Sequence, residues 1–156
     1  MQYNQNLIVK TPFGWVGVEM SAQGICRVVL PKKDKKIVEQ ELKSARCASP
    51  LTPALSPEGR GREKASSSAM NNSSGILNKA VTLLQRYFSG ECVLFDLPLD
   101  MRYYTAFPQA VWKAAAEIPF GETRSYGWIA KQLRNPTAAR AVGQALGANP
   151  IPLIIP

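Results

Sequence analysis

The alternation of apolar and polar residues near the start of the chain predicts β-structure. From Leu7 to Leu30 apolar residues are interleaved with small or charged ones, and the segment Ser21–Gly24 interrupts the alternation as a turn would. This stretch therefore predicts a β-hairpin. The next segment, Lys32–Lys43, is charged and has three aliphatic residues, which predicts a short surface helix whose lysines face solvent.

Between Ser44 and Gly75 the composition changes abruptly to serine, proline, glycine and arginine. Such a stretch buries too little apolar surface to offset the entropy that the chain loses on ordering. We therefore predict a disordered insert at about residues 44–75.

Helical periodicity returns after the insert. Apolar residues recur on one stripe over residues 76–88, which predicts a helix, and Val93–Leu97 then predicts a strand. Thr105 is placed to cap a second helix, whose apolar face extends to Ile118.

Two further short helices are predicted near the C-terminal end. Ser125 is a candidate N-cap for a helix over Tyr126–Leu133, residues 134–136 break that helix, and Thr137 is placed to cap another one through Leu146. Two short helices around a three-residue turn are typical of a helix-turn-helix, although helix hairpins without a role in DNA binding share this spacing.

The helix predicted from Thr137 carries unusually little side chain, because its residues are small apart from Arg140 and Gln144. Such a surface offers few groups to read bases, and it suits shape-based binding with one probing side chain, as in minor-groove and base-flipping proteins. The alternative is that the alanines pack against a neighbouring helix and that Arg140 forms a surface salt bridge. Tyr126, likewise, could contact a phosphate or simply pack.

Composition and charge limit the kinds of partner and catalytic site that this chain can have. Nineteen basic against 11 acidic residues give a net charge of +8, which fits a polyanion binder, and residues 101–156 hold six of the basic residues and two of the acidic ones. The chain has no histidine, which excludes Ser-His-Asp triads, Cys-His dyads and His-containing zinc sites built by this chain alone. Its three cysteines have no CxxC spacing, and no signal peptide or membrane-length apolar run is found, so we expect a cytoplasmic chain with reduced thiols.

Four motifs in the last third of the chain resemble those of methylated-DNA–protein-cysteine methyltransferases, the proteins that repair O6-alkylguanine. In chain order the motifs are Phe107–Trp112 (FPQAVW), Ile118–Tyr126 (IPFGETRSY), Ala139–Gly143 (ARAVG) and Asn149–Pro156 (NPIPLIIP). Four motifs in this order and spacing are specific to the family. Residues 7–30 and 76–104 also resemble the family's less distinctive N-terminal domain.

The resemblance implies a fold of the α/β plus all-α class. An RNase H-like N-terminal α/β domain is expected over residues 1–104, interrupted by the insert, and a truncated winged helix-turn-helix domain over residues 105–156. The implied function is repair of double-stranded DNA containing alkylated guanine: minor-groove binding, rotation of the base out of the helix, and irreversible alkyl transfer to a cysteine. The resemblance implies no cofactor, no metal and no membrane partner, and we expect a monomer.

The resemblance also implies roles for single residues. By position, Tyr126 resembles the tyrosine that crowds the target phosphate, and Arg140 the arginine that fills the vacated base stack. Asn149 resembles the asparagine that orders the turn leading to the nucleophile. The other residues expected at the DNA are Ser125, Thr137, Ala138, Ala139 and Gly143.

The chain departs from the family at its end. In the family the last motif continues into Cys-His-Arg, whereas this chain stops at Pro156. Alkyl transfer needs a thiolate in a polar site, and we expect Cys26, Cys47 and Cys92 to be structural thiols rather than substitutes. We therefore predict no catalytic residue in this chain, with Asn149 in a supporting role, and no alkyl transfer by the chain as it stands.

Two consequences and two alternatives follow from this departure. Leu153–Ile155 predicts an apolar strand left with an exposed edge, so truncation is expected to harm the fold. The alternatives to an inactive repair methyltransferase are a non-catalytic DNA-binding sensor of alkylated guanine or a degenerate gene product, and, in a different class, a plain basic α/β domain.

Overall fold

A three-stranded antiparallel sheet forms the N-terminal part of the molecule. The computed structural model describes residues 5–44 and 68–156. The strands, in sheet order, are β1 (Gln5–Thr11), β2 (Gly14–Met20) and β3 (Ile25–Lys32). Val18 of β2 pairs with Leu7 on one side and Val28 on the other. The predicted hairpin with its turn at Ser21–Gly24 is confirmed, and β1 adds a strand that the apolar pattern did not separate.

Five α-helices are present among the described residues. They are α1 (Lys35–Ser44), α2 (Ser68–Phe88), α3 (Ala106–Ala116), α4 (Tyr126–Gln132) and α5 (Ala139–Gly147), with a 3₁₀ turn at Pro136–Ala138 before α5. The surface helix predicted after the sheet is confirmed as α1, which buries Val38 and Leu42 against the sheet. Thr105 precedes α3 as predicted, but its side chain makes no capping hydrogen bond, and α3 ends before Ile118.

The start of α2 corrects the predicted insert. The helix begins at Ser68 rather than at Ile76, so the prediction of disorder is wrong for residues 68–75. Adding a turn to an existing helix costs far less than nucleating one, which allows the apolar stripe of residues 76–88 to extend through a polar stretch. The remainder of the predicted insert, including Cys47, lies outside the described residues.

The strand predicted at Val93–Leu97 is also wrong. This segment is irregular, with Leu94 85% exposed, and the chain meets β3 only at the following residues. There the Ile25 N–H donates to Pro98 O and the Asp100 N–H donates to Ile25 O, each at 2.8 Å. Residues 93–97 have the composition of a strand but no neighbouring strand to pair with, and pairing is what makes a strand.

Gly24 makes this approach of the two segments possible. A Cβ on Gly24 would lie 2.4 Å from the carbonyl oxygen of Pro98, so a residue with a side chain would push the backbones apart. Beside it, the buried carboxylate of Asp100 accepts a hydrogen bond from the Ser21 hydroxyl and two from the Arg102 guanidinium, Nε at 2.8 Å and Nη2 at 2.9 Å. The turn between β2 and β3 is thereby tied to the segment that leads into α3.

One continuous apolar core joins the sheet to the helices. Its fully buried members include Val16, Leu84, Trp112, Ile129, Val142 and Ile155. The segment Leu153–Ile155 is a turn and not a strand, since Leu153 has a φ of 75°, and Ile154 and Ile155 are buried. The expected exposed apolar edge is therefore wrong. Within the part of the chain that the structure describes, no helix is long and apolar enough to cross a membrane.

Candidate functional site

Ser125 fixes the start of α4 as predicted. Its side-chain oxygen accepts a hydrogen bond from the Trp128 N–H at 3.2 Å, and its extended backbone lies just outside the helix. Such a cap contributes about 1 kcal/mol to a helix. Tyr126 is therefore the first residue of α4. It is 52% exposed to solvent.

The turn after α4 is closed by backbone hydrogen bonds. The Asn135 N–H donates to Ala130 O at 2.9 Å, and the Arg134 N–H donates to Lys131 O at 3.0 Å. This pair of bonds is the Schellman pattern, which needs one residue in the left-handed region, and here that residue is Arg134 with a φ of 55°. The chain accepts this strained arginine backbone where glycine is usual, and the turn sets the angle between α4 and α5.

Thr137 does not cap α5, which corrects the prediction. Thr137 lies inside the 3₁₀ turn that Pro136 begins, and its hydroxyl donates to Asn135 Oδ1 at 3.1 Å. The residue before α5 is Ala138, which has no side-chain cap to offer. Proline favours the first position of a helical turn because its φ is already suitable, so the chain turns helical before Thr137 can act as a cap.

The first turn of α5 carries Arg140 at the surface, where its side chain is exposed. None of the ion pairs formed among the described residues includes Arg140. The surface salt bridge considered from the sequence is therefore absent from the described part of the chain. Ala138 and Ala139 are partly buried beside it, as is Gly143 one turn later.

The charge around α4 and α5 is mostly positive. Residues 122–149 contain four basic residues and one acidic residue. Arg124 is held in place, because Nη2 donates to the Glu122 carboxylate and the guanidinium lies 5.6 Å from the Trp128 ring centre. Lys131, Arg134 and Arg140 are exposed, so three cations are directed to solvent on this side of the molecule. Lys131 and Arg134 were not predicted as part of the site, although the excess of basic residues in this segment of the sequence is a signal for them.

Asn149 closes the turn that follows α5. Its Nδ2 donates to Ile155 O and its Oδ1 accepts from the Ile151 N–H, both at 2.9 Å. The Val28 N–H of β3 donates to Pro150 O at 2.9 Å, which fastens this turn to the sheet. These hydrogen bonds hold residues 149–155 in a closed turn.

A cavity of about 730 Å³ lies between these elements. Tyr126 of α4, Gly143 of α5, Asn149, Ile155 and Pro156 line it. Of the residues predicted at the DNA, two line the cavity, and five lie outside its wall, namely Ser125, Thr137, Ala138, Ala139 and Arg140. Its volume lies within the range of about 300–1,000 Å³ typical of small-ligand sites. More distant parts of the chain line it too, namely Leu30 and Tyr87, and no local sequence signal could have identified these two.

The described cysteines lie away from this cavity. Cys26 is fully buried in β3, where its thiol donates to Glu19 O at 3.5 Å, and Cys92 is exposed after the end of α2. No cysteine is found among the described residues that line the cavity. In the same part of the chain, no three potential ligands stand close enough together to hold a metal ion.

Comparison with known families gives a match over the part of the chain that builds the site. The family described as 6-O-methylguanine DNA methyltransferase, DNA binding domain, matches residues 106–156. Among curated relatives, the methylated-DNA–protein-cysteine methyltransferase of Mycobacterium bovis is 56% identical over 82 residues, which are 53% of this chain and 49% of the relative. The protein of that name from Methanosarcina mazei is 53% identical over 73 residues, 47% of this chain and 46% of the relative. The matched region thus spans about half the length of these curated relatives.

Solved structures resemble nearly the whole chain. The Mycobacterium tuberculosis O6-methylguanine methyltransferase is 32% identical with a TM-score of 0.66, and the match covers 99% of this chain and 76% of that one. The structure of Mycobacterium tuberculosis OGT in complex with DNA is 33% identical with a TM-score of 0.64, covering 97% of this chain and 74% of that one. The similarity therefore extends to the sheet and helices that precede α3.

Proposed function

Because the chain belongs to the methylated-DNA–protein-cysteine methyltransferase family, we propose that it binds double-stranded DNA containing an alkylated guanine and serves the repair of that base. The expected contact is in the minor groove, with the base rotated out of the helix. The described chain would act as a cytoplasmic monomer. The solved relative in complex with DNA supports DNA as the partner.

The proposal includes the finer description of the fold. Residues 1–104 would form the RNase H-like domain, and residues 105–156 the winged helix-turn-helix domain that contacts DNA. The short turn between α4 and α5 supports the second assignment, because in helix-turn-helix proteins such a turn sets the angle at which the second helix meets the groove.

The observation that carries the proposal is the position of Tyr126 on the wall of the cavity, with Arg140 exposed on the first turn of α5. Tyr126 would contact the phosphate of the target nucleotide. Ala138 and Ala139 keep the surface at the start of α5 low, so a groove wall could approach the backbone closely. Arg140 has the length and charge to enter the space that an extruded base leaves. The cavity beside Tyr126 has room for that base, and Ser125 and Thr137 would complete the contact surface.

Removing the charge of Arg140 tests the DNA-contact surface. We expect Arg140→Ala to weaken binding to an O6-methylguanine duplex by about tenfold, a loss within the range of about 1–3 kcal/mol for one good contact. The slope of log affinity against log salt should fall by up to about 1, because one positive charge that displaces counterions from the DNA is lost. Fluorescence anisotropy between about 50 and 200 mM salt measures both quantities.

Lys36→Ala provides the matched control. Lys36 is an exposed lysine on α1, so this variant removes the same charge from another part of the surface. We expect its affinity and salt slope to stay close to those of the unchanged protein. Equal losses in the two variants would mean that net charge alone attracts the DNA, and would contradict a contact surface on α5.

A second candidate function is a non-catalytic sensor of alkylated guanine, in which no thiolate attacks the bound base. In this alternative the DNA contact and the base rotation are the same, and the chain holds the lesion without reacting with it.

Mass spectrometry after incubation with the methylated duplex tests for transfer. We expect Cys26 and Cys92 to remain unmethylated, because Cys26 is buried in the sheet and Cys92 lies outside the cavity. Duplex binding without a mass increase would favour the sensor. A stoichiometric 14-Da increase, about the mass of one methylene group, on either cysteine would refute the assignment of both thiols as structural.

A further inference from the structure

The helices α4 and α5 make a close contact at Gly143. A Cβ on Gly143 would lie 3.0 Å from Cε2 and 3.1 Å from Cδ2 of the Tyr126 ring. Carbon atoms in packed proteins prefer separations of about 3.5–4.0 Å, so a methyl group at this position would force the ring to move. The absence of a side chain at Gly143 is what allows the ring to lie where it does.

The backbone of Tyr126 is fixed independently of Gly143. It is the first residue of α4, and the Ser125 cap fixes where that helix begins. The ring is half exposed and lines the cavity, so it occupies the border between the core of the helix pair and the surface proposed to meet DNA. A change at Gly143 would therefore alter the ring position while the start of α4 remained in place.

The family resemblance placed Gly143 at the DNA; we infer instead that it is a positioning residue, which acts through the Tyr126 ring and not by contacting DNA itself. The consequence for DNA rests on the proposed function, in which Tyr126 contacts a phosphate of the target nucleotide. A hydrogen bond weakens steeply outside its narrow range of distance and angle, so a ring displaced by a few tenths of an ångström loses part of that contact.

Affinity for the methylated duplex measures this effect. We expect Gly143→Ala to weaken binding by about threefold to tenfold, the size expected when a side chain is forced off its preferred rotamer. Gly75→Ala is the matched control, because Gly75 is an exposed glycine of α2 that does not line the cavity, and its Cβ would meet no atom within 4 Å. Both variants replace a helical glycine by alanine, and we expect Gly75→Ala to leave the affinity unchanged.

The double variant separates a positioning role from a direct contact. In a Tyr126→Ala background, Gly143→Ala should weaken binding no further, because the ring through which it acts is gone. If Gly143 touched DNA, the added methyl group would cost the same with or without the ring. An undiminished loss in that background would overturn the inference.

A measurement without DNA keeps the inference separate from the proposed function. With ¹³C-labelled tyrosine rings, NMR should show shifted Tyr126 resonances in Gly143→Ala and unshifted ones in Gly75→Ala. If Gly143→Ala alone unfolds but Gly143→Ala/Tyr126→Ala folds, the clash with the ring is supported directly. Unshifted Tyr126 resonances in a folded Gly143→Ala protein would overturn the inference. If the Tyr126 resonances shift in Gly143→Ala but the unchanged protein does not bind the duplex, the proposed function is refuted. The inference that Gly143 positions the Tyr126 ring would still hold.

Discussion

Replacing Trp112 with alanine is expected to lower the free energy of unfolding by about 3–5 kcal/mol, as for other large aromatic side chains removed from a core. Trp112 of α3 is completely buried, its ring packs edge-on against Tyr104 at 4.8 Å, and its Nε1 donates to Ala145 O of α5 at 2.8 Å. The alanine variant leaves a cavity between α3 and α5 and removes the hydrogen bond that joins them. Urea unfolding at pH 7 measures the loss.

Two other variants show which part of the side chain matters. Trp112→Phe keeps much of the volume and should cost about 1–2 kcal/mol, because Ala145 O still accepts from the Ala148 N–H at 3.2 Å and is not left without a partner. Trp15→Ala removes the same group from a half-buried site beside a separate small apolar cluster of Val29, Val38 and Leu42, and a smaller loss is expected. A loss at Trp112 no greater than that at Trp15 would contradict the central place of Trp112 in the core.

The features that the sequence predicted well depend on local signals. Ser125 caps α4 because its side-chain oxygen accepts a hydrogen bond from the backbone N–H of Trp128, three residues later in the chain. The stripe of residues 76–88 and the turn at Ser21–Gly24 also depend on residues close in sequence. Trp112, which the apolar face of the predicted helix placed in the core, is fully buried.

Of the predictions that were wrong, one failed because of a contact between distant segments and one for a local reason. Residues 93–97 have the composition of a strand, but Leu99 pairs with Ile25 in parallel, so residues 93–97 lie before the start of β3 and do not extend along it. Thr137 was chosen as a cap by its residue type, whereas its neighbour Pro136 starts the helical turn before it.

The sequence predicted individual residues of the candidate site but not their arrangement in space. The resemblance to the methyltransferase family named Tyr126, Arg140 and Gly143 one by one, and their roles at DNA stay predictions. What periodicity and motifs could not supply is the contact of the Tyr126 ring with Gly143, or the inclusion of Leu30 and Tyr87 in the cavity wall. These depend on the angle between α4 and α5 and on the way the sheet packs beneath them.

Replacing Asp100 with asparagine is expected to lower the free energy of unfolding by about 2 kcal/mol at pH 7. The Arg102 guanidinium, with a smaller contribution from the Ser21 hydroxyl, holds the pKa of this buried carboxyl at about 2, below its ordinary value of 3.8. Because the unfolded chain binds a proton more readily than the folded one, the ionised carboxylate stabilises the fold. Asparagine keeps the shape but loses the charge that Arg102 and Ser21 recognise.

The pH dependence gives this prediction its sharpest test. The contribution of Asp100 is complete above about pH 5 and is lost as the pH falls through the unfolded pKa towards 2. The difference in unfolding free energy between the unchanged protein and Asp100→Asn should therefore fall to about half its neutral value at pH 3. Urea titrations at pH 7, 5 and 3 measure the difference.

Asp96→Asn is the matched control for the charge. Asp96 is highly exposed and pairs with Lys79 at 3.6 Å, so its ion pair is screened by water and should contribute less than about 0.5 kcal/mol. If the difference in unfolding free energy between the unchanged protein and Asp100→Asn stays constant from pH 7 to pH 3, the aspartate acts by shape alone. If this difference falls with pH and Asp96→Asn changes the stability little, the charge of Asp100 fastens the turn between β2 and β3 to the segment that leads into α3.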